Sequence, residues 1–155
     1  MALTTIALNR ILQENFLTKH CFKGTYPACY FPGLDTKKSS GWVMNNENHQ
    51  EPGSHWVLWF YSEVKKTLYF MDSFARNPTD VTFPHSFSHI TDLYDNVEYL
   101  ASPVQGVDSY TCGYFVIHAF VLLAAGFDLE SFRLEYGENK MKNDFKVVRI
   151  VKSLI

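Results

Sequence analysis

The sequence predicts an α+β fold in which a small mixed or antiparallel sheet packs against helices, one of them enclosed on all sides. Two aromatic and β-branched runs, His55 to Ser62 and Thr67 to Asp72, are separated by only Glu63-Val64-Lys65-Lys66, the pattern of a β-hairpin. Tyr114 to Ala125 is apolar on every face, as a core helix is. Hydrophobic residues make up 46% of the 155 positions and charged ones 19%, which suits one folded domain spanning 1–155 and is too apolar for a disordered chain.

Along the chain, Thr4 or Thr5 caps a helix running to about Leu17, with Leu8, Ile11, Leu12 and Phe16 on one stripe. Phe22 to Pro27 reads as a loop and Phe31-Pro32-Gly33 as a turn. Gly41 to Met44 is short, extended or helical. Asn45 through Ser54, rich in Asn, Pro and Gly, reads as the least structured stretch, able to arch over a site. The hairpin follows, then a loop from Phe74 to Pro84. An amphipathic helix is expected over Ser86 to Asp95 and a strand over Val97 to Ala101. Gly126 suits the C-cap of the apolar helix, and a final helix covers Lys142 to Leu154.

Composition excludes several classes. Net charge is -2, and no basic run exceeds the pairs Lys37-Lys38 and Lys65-Lys66, so the footprint of a constitutive nucleic-acid binder is missing and DNA is not an expected partner. The three cysteines, Cys21, Cys29 and Cys112, form no CxxC pair. That argues against a disulfide framework or structural zinc and for a reducing compartment. No secretory signal is visible, and the longest apolar run, about twelve residues, falls short of the roughly twenty a bilayer requires.

The chemistry concentrates in Val104-Gln105-Gly106-Val107-Asp108-Ser109-Tyr110-Thr111-Cys112-Gly113. A free thiol is only a few per cent ionised near neutral pH and needs help to attack a carbonyl. At the start of a helix, Cys112 gains from the positive end of the macrodipole. His55 opens the first hairpin strand and Asp72 closes the second, and antiparallel pairing sets those ends side by side. Imidazole and carboxylate can thus work as base and orienting group. The Gln105 amide can donate to an oxyanion together with the Cys112 backbone N–H, and Gly113, without a Cβ, allows a substrate or loop to come close.

Each residue also has a plainer reading. A buried cysteine is commonly inert packing, a His before a Trp is commonly a strand end, and Asp-Ser is a turn signal. The four together, on consistent elements, favour chemistry. His85 and His89 share a helix face but lack a third ligand or an HExxH pattern, so no metal is expected there. His118 reads as a core histidine, and Glu135 and Glu138 as a solvated loop.

The combination resembles the adenovirus endopeptidase family, the adenain-like branch of the Gly-Gly-directed cysteine peptidases that also includes the SUMO-specific proteases. Four segments carry it: Phe22-Lys23-Gly24-Thr25-Tyr26 with Phe31-Pro32-Gly33, then Gly53-Ser54-His55-Trp56, then Tyr69-Phe70-Met71-Asp72-Ser73-Phe74, then Val104 to Phe115. The resemblance implies a papain-like fold with a buried helix starting at the nucleophile. It implies His55, Asp72 and Cys112 as a triad and Gln105 as the oxyanion residue. Trp56 would line a narrow channel around substrate glycines, and Asn45 would match a site-region asparagine. It further implies an endopeptidase that cuts Gly-containing motifs in viral precursor proteins, located in the host nucleus or cytoplasm and in the virion.

Departures from that family are equally informative. Its adenovirus members are basic, use DNA as a cofactor, and are activated by a peptide joined through a disulfide to a cysteine upstream of the nucleophile. Here the chain is mildly acidic, has no cysteine between Cys29 and Cys112, and ends sooner after the nucleophile. No cofactor is therefore expected to be required, and any activating peptide is expected to bind non-covalently. The alternative readings are a ubiquitin-like-protein protease using the same residues and a catalytically silent interaction module on the same fold.

Overall fold

The computed structural model describes residues 2–33, 36–45 and 55–155; the expected arching stretch beyond Asn45 lies outside them. The elements are α1 (Thr5–Glu14), β1 (Phe22–Tyr26), β2 (Ser40–Asn45), β3 (Trp56–Ser62), β4 (Thr67–Met71), α2 (His85–Thr91), β5 (Val97–Tyr99), α3 (Cys112–Ala124), α4 (Leu129–Leu134) and α5 (Lys140–Ser153). The strands form one sheet in the order β1-β2-β3-β4-β5. Its centre, β2 to β4, is antiparallel, and β1 and β5 add on in parallel at the two edges. The fold is thus α+β with a mixed sheet, as the sequence predicts.

Both faces of the sheet are covered. Val43, Leu58, Phe60, Tyr69 and Met71 meet α1 and α3 in one cluster, and Trp42, Val57, Trp59, Leu68 and Phe70 meet α2 in the other. Successive side chains alternate faces, and here both faces are dry, so the central strands read as continuous apolar runs. Trp42 and Trp59 stack at 5.7 Å on the α2 side, where Phe87 meets Trp59 edge-on.

Helix α3 lies against the other face, and all its residues except Leu122 and Ala124 are buried. Its close approach depends on Gly41: a Cβ there would come within 2.7 Å of the Trp59 carbonyl oxygen and 3.1 Å of the Phe120 ring. Beyond α3, Gly126 takes a left-handed φ of 99°, as expected for a helix end.

Several boundaries differ from the sequence-based expectations. The first helix stops at Glu14, short of Leu17, because the Asn15 side chain accepts from the N–H groups of Leu17 and Thr18 and draws them out of the helical ladder. Phe16 therefore leaves the stripe and is 77% exposed. The expected loop at Phe22 to Pro27 is instead β1, an edge strand held by parallel pairing with β2 and by Phe22 packing edge-on to Phe120. The helix expected over Ser86 to Asp95 ends at Thr91. Helix α4, absent from the sequence reading, spans only six residues and is capped by the Asp128 carboxylate accepting from the Ser131 N–H. Among the described residues, no helix is long and apolar enough to cross a membrane.

Candidate active site

The hairpin brings its two chemical ends together. His55 immediately precedes β3, Asp72 immediately follows β4, and the antiparallel register pairs Leu58 with Met71 at that end. His55 Nε2 lies 2.5 Å from Asp72 Oδ1, with both residues buried. The second ring nitrogen is left for Cys112, whose thiol hydrogen-bonds with the imidazole. Cys112 opens α3, so its sulfur sits at the positive end of that helix. The backbone N–H groups of Trp56 and Gly113 also donate to the sulfur.

Electrostatics couple the three groups. Burial alone would push the His55 imidazolium toward neutrality, but hydrogen bonds and negative charge from Asp72 and Cys112 win, raising its pKa to about 9. Burial also opposes the Cys112 thiolate, yet the His55 hydrogen bond and charge, with the two backbone donors, bring its pKa below the ordinary thiol value. Asp72 likewise resists the cost of burial: His55 and Arg76 hold its carboxyl below the usual range. Raised imidazole and lowered thiol both shift the balance toward a thiolate–imidazolium pair. Cys21 behaves oppositely. Burial outweighs nearby Lys23 and lifts its thiol to about 11.

Gln105 is buried and held from two sides. The Ser73 hydroxyl donates to its Oε1, and its Nε2 donates to the Ser109 carbonyl at 3.1 Å. A primary amide carries two N–H donors, so this anchoring uses one of them and fixes the direction of the other. The Ser73 carbonyl also accepts from the N–H groups of Val104 and Gln105, tying the loop before Cys112 to the turn after Asp72.

Trp56 and Asn45 face each other across β2 and β3 at the same sheet end as His55. Trp56 is half-buried against the main core, and Asn45 is buried. Of the two close approaches expected at Gly113, by substrate or by another part of the chain, the structure shows the second. A Cβ there would meet Leu3 at 3.3 Å and Leu8 at 3.6 Å, so its bare face accommodates the N-terminal segment and α1 rather than a substrate. What Gly113 turns to the site is its N–H.

Five further residues support the site, and the linear sequence does not single them out. Arg76 Nε bonds Asp72 Oδ2 at 2.7 Å, and the Arg76 and Phe74 N–H groups also donate to that carboxylate. Phe74 stacks on the His55 ring at 4.9 Å. From α5, Asp144 Oδ1 accepts from Thr111 Oγ1 at 2.7 Å, Ser109 Oγ at 3.2 Å and the Gly106 N–H. Asn143 donates to the Val104 and Gly137 carbonyls. With Ser73, these groups pin both loops that meet at Cys112. A carboxylate in a buried site needs more than one donor, and that requirement is the one signal that could have pointed to Arg76.

The remaining sequence candidates lie apart. His85 and His89 are exposed on α2, and no cluster of three metal-ligating side chains occurs among the described residues. His118 is a core histidine: Nδ1 meets the Tyr136 hydroxyl at 2.5 Å, and burial lowers its pKa to about 4. Glu135 and Glu138 are exposed, and Glu135 pairs with Lys146.

No family model matches the sequence. No curated protein matches it either. Solved structures do. The ASFV pS273R protease superposes with a TM-score of 0.60 at 13% identity, over 94% of this chain and 66% of that one. A second structure of that protease gives 0.57 at 12% identity over the same shares. The SUMO protease Ulp1, its catalytic cysteine oxidised to a sulfinic acid, gives 0.56 at 17% identity, over 99% of this chain and 78% of that one. The chain therefore spans just under two thirds of the ASFV protease's length, and it has the fold of the adenain/Ulp1-type cysteine proteases.

Proposed function

We propose that this chain is a cysteine endopeptidase in which Cys112 attacks the scissile carbonyl. The observation that carries the reading is a single buried line of groups: Asp72 Oδ1, the His55 ring and the Cys112 sulfur, each hydrogen-bonded to the next, with the imidazole raised and the thiol lowered. In the reaction, the thiolate adds to the carbonyl carbon. The oxyanion is met by the Cys112 backbone N–H and the outward N–H of Gln105. His55 gives its proton to the departing amine, leaving a thioester, then takes a proton from water as that water displaces Cys112 and frees the acid. Asp72 holds the imidazole throughout. No cofactor enters this scheme.

The substrate is a polypeptide with glycine at the bond. Trp56, at the strand end beside His55, narrows the cleft so that a residue lacking a Cβ passes most readily. Motifs of the Gly-Gly or Gly-Xaa-Gly kind in viral structural precursors are the proposed targets, and infected-cell compartments and the virion the proposed setting. The fold shared with a protease of ASFV supports this reading. The fold shared with the SUMO protease Ulp1 supports the second, cleavage of ubiquitin-like conjugates by the same residues. Cleavage of a peptide library by the isolated protein, beside ubiquitin-like fusions, tests both. Cuts after glycine in short peptides support the first, and cuts only in intact fusions support the second. No cleavage of either, with no labelling of Cys112 by a thiol-directed warhead, would leave the silent interaction module.

A further inference from the structure

A second surface lies beside the site on the far side of the loop that ends at Cys112. Between Ser109–Thr111 and the outer face of α5 runs a groove of about 1010 Å³. Its apolar lining comes from Tyr110, Met141, Phe145 and Val148, and the first three are each roughly 70% exposed. Helix α5 needs only one face for the core, through Asn143, Val147 and Val151. Met141 and Phe145 stand one turn apart on the opposite face, where helical spacing makes them a single stripe.

Charge decides what fits. Lys142, Lys146, Arg149 and Lys152 also line the groove, giving it four cations in a chain whose net charge is -2. Lys146 is partly neutralised by Glu135, whereas Lys142, Arg149 and Lys152 form no ion pair among the described residues. The one acidic lining residue, Asp144, turns Oδ1 inward to Gly106, Ser109 and Thr111. An apolar floor with a cationic rim matches a peptide that alternates apolar and acidic side chains. Nucleic acid would match the rim but waste the floor.

We propose that this groove docks an acidic, apolar peptide segment of a partner protein, bound without a covalent tether. The inference rests on the protease reading only for its bearing on activity, because such a segment would sit against the loop that leads into Cys112. Binding itself is independent of catalysis.

The test is selection of a displayed random-peptide library on the intact protein carrying Cys112→Ala, with counter-selection on Phe145→Asp and Arg149→Glu. The expected result is a consensus that mixes Leu or Phe with Asp or Glu. A fluorescent copy of it should bind wild type, weaken at least tenfold in either variant, and weaken with added salt. No enrichment, a consensus without acidic residues, or binding unchanged in both variants would overturn the proposal. So would concentration-dependent dimerisation abolished by Phe145→Asp, which would make a second copy of the chain the occupant. Duplex DNA binding that is lost in Arg149→Glu but kept in Phe145→Asp would overturn it in favour of nucleic acid. Wild type that binds the peptide but cuts nothing would leave docking intact and remove the protease reading.

Discussion

At the scale of single residues, His55 unites two opposite pKa shifts, and the sign of each sets the pH dependence. Cleavage should rise as the Cys112 thiol ionises, at its lowered value, and fall as His55 loses its proton near pH 9. Asp72→Asn removes a charge that raises His55, so its alkaline limb should move to lower pH while turnover drops; a pH–rate profile of both proteins checks this. Gln105→Ala should cost about 10²–10³ in turnover, the usual scale for one oxyanion donor, with the fold intact by circular dichroism. Arg76→Met leaves Asp72 Oδ2 with only its backbone donor and should cost about 1–3 kcal/mol of stability at neutral pH. Asp72 has a depressed folded pKa, so its contribution is present above its unfolded value of 3.8 and is lost as pH falls through the folded one. Denaturant titrations should therefore show the difference between Arg76→Met and wild type shrinking in acid.

At the scale of elements, the site is a junction of three: the hairpin ends, the helix start and the loop before it. The hairpin and α3 were legible because their signals are local. Four residues between two apolar runs define the hairpin, and an unbroken apolar stretch defines a buried helix. Strand β1 was not, because parallel pairing is set by a distant partner, and Gly24 and Pro27 punctuate the short run from Phe22 to Pro27 like a turn. Helix α4 was too short to display a period. The site divides the same way. His55, Asp72 and Cys112 could be placed from element ends and Gln105 from its position seven residues before Cys112, but Asp144 could not, since nothing in a solvated-looking helix reveals that one carboxylate folds back onto Ser109 and Thr111. Asp144→Ala should free that loop. The expectation is a several-fold or greater fall in kcat with modest change in KM, and partial recovery in Asp144→Asn, which keeps an accepting oxygen. Gly41→Ala acts on the element behind the site. Its Cβ would strike the Trp59 carbonyl oxygen and crowd Phe120, so thermal unfolding should show about 1–3 kcal/mol of destabilisation.

At the scale of the whole molecule, a mixed sheet buried on both faces makes a rigid support, and the chemistry sits where loops leave its end. The mean charge proved a poor guide to the surface. A chain at -2 overall carries a groove with four cations, because α5 spaces Lys142, Lys146, Arg149 and Lys152 along the helix in a way the linear sequence disguises. DNA should still leave the cleavage rate unchanged, since the floor between those cations is apolar; rates with and without duplex DNA at several salt concentrations test this. The central claim, that Cys112 is the nucleophile activated by His55, meets its most direct test in covalent labelling with a glycine-ended peptide vinyl sulfone. Mass spectrometry would locate the adduct. The expected result is one adduct, on Cys112, lost in His55→Ala, with exposed Cys29 and the high-pKa Cys21 untouched. An adduct on Cys29, or labelling of Cys112 at the same rate without His55, would contradict the account.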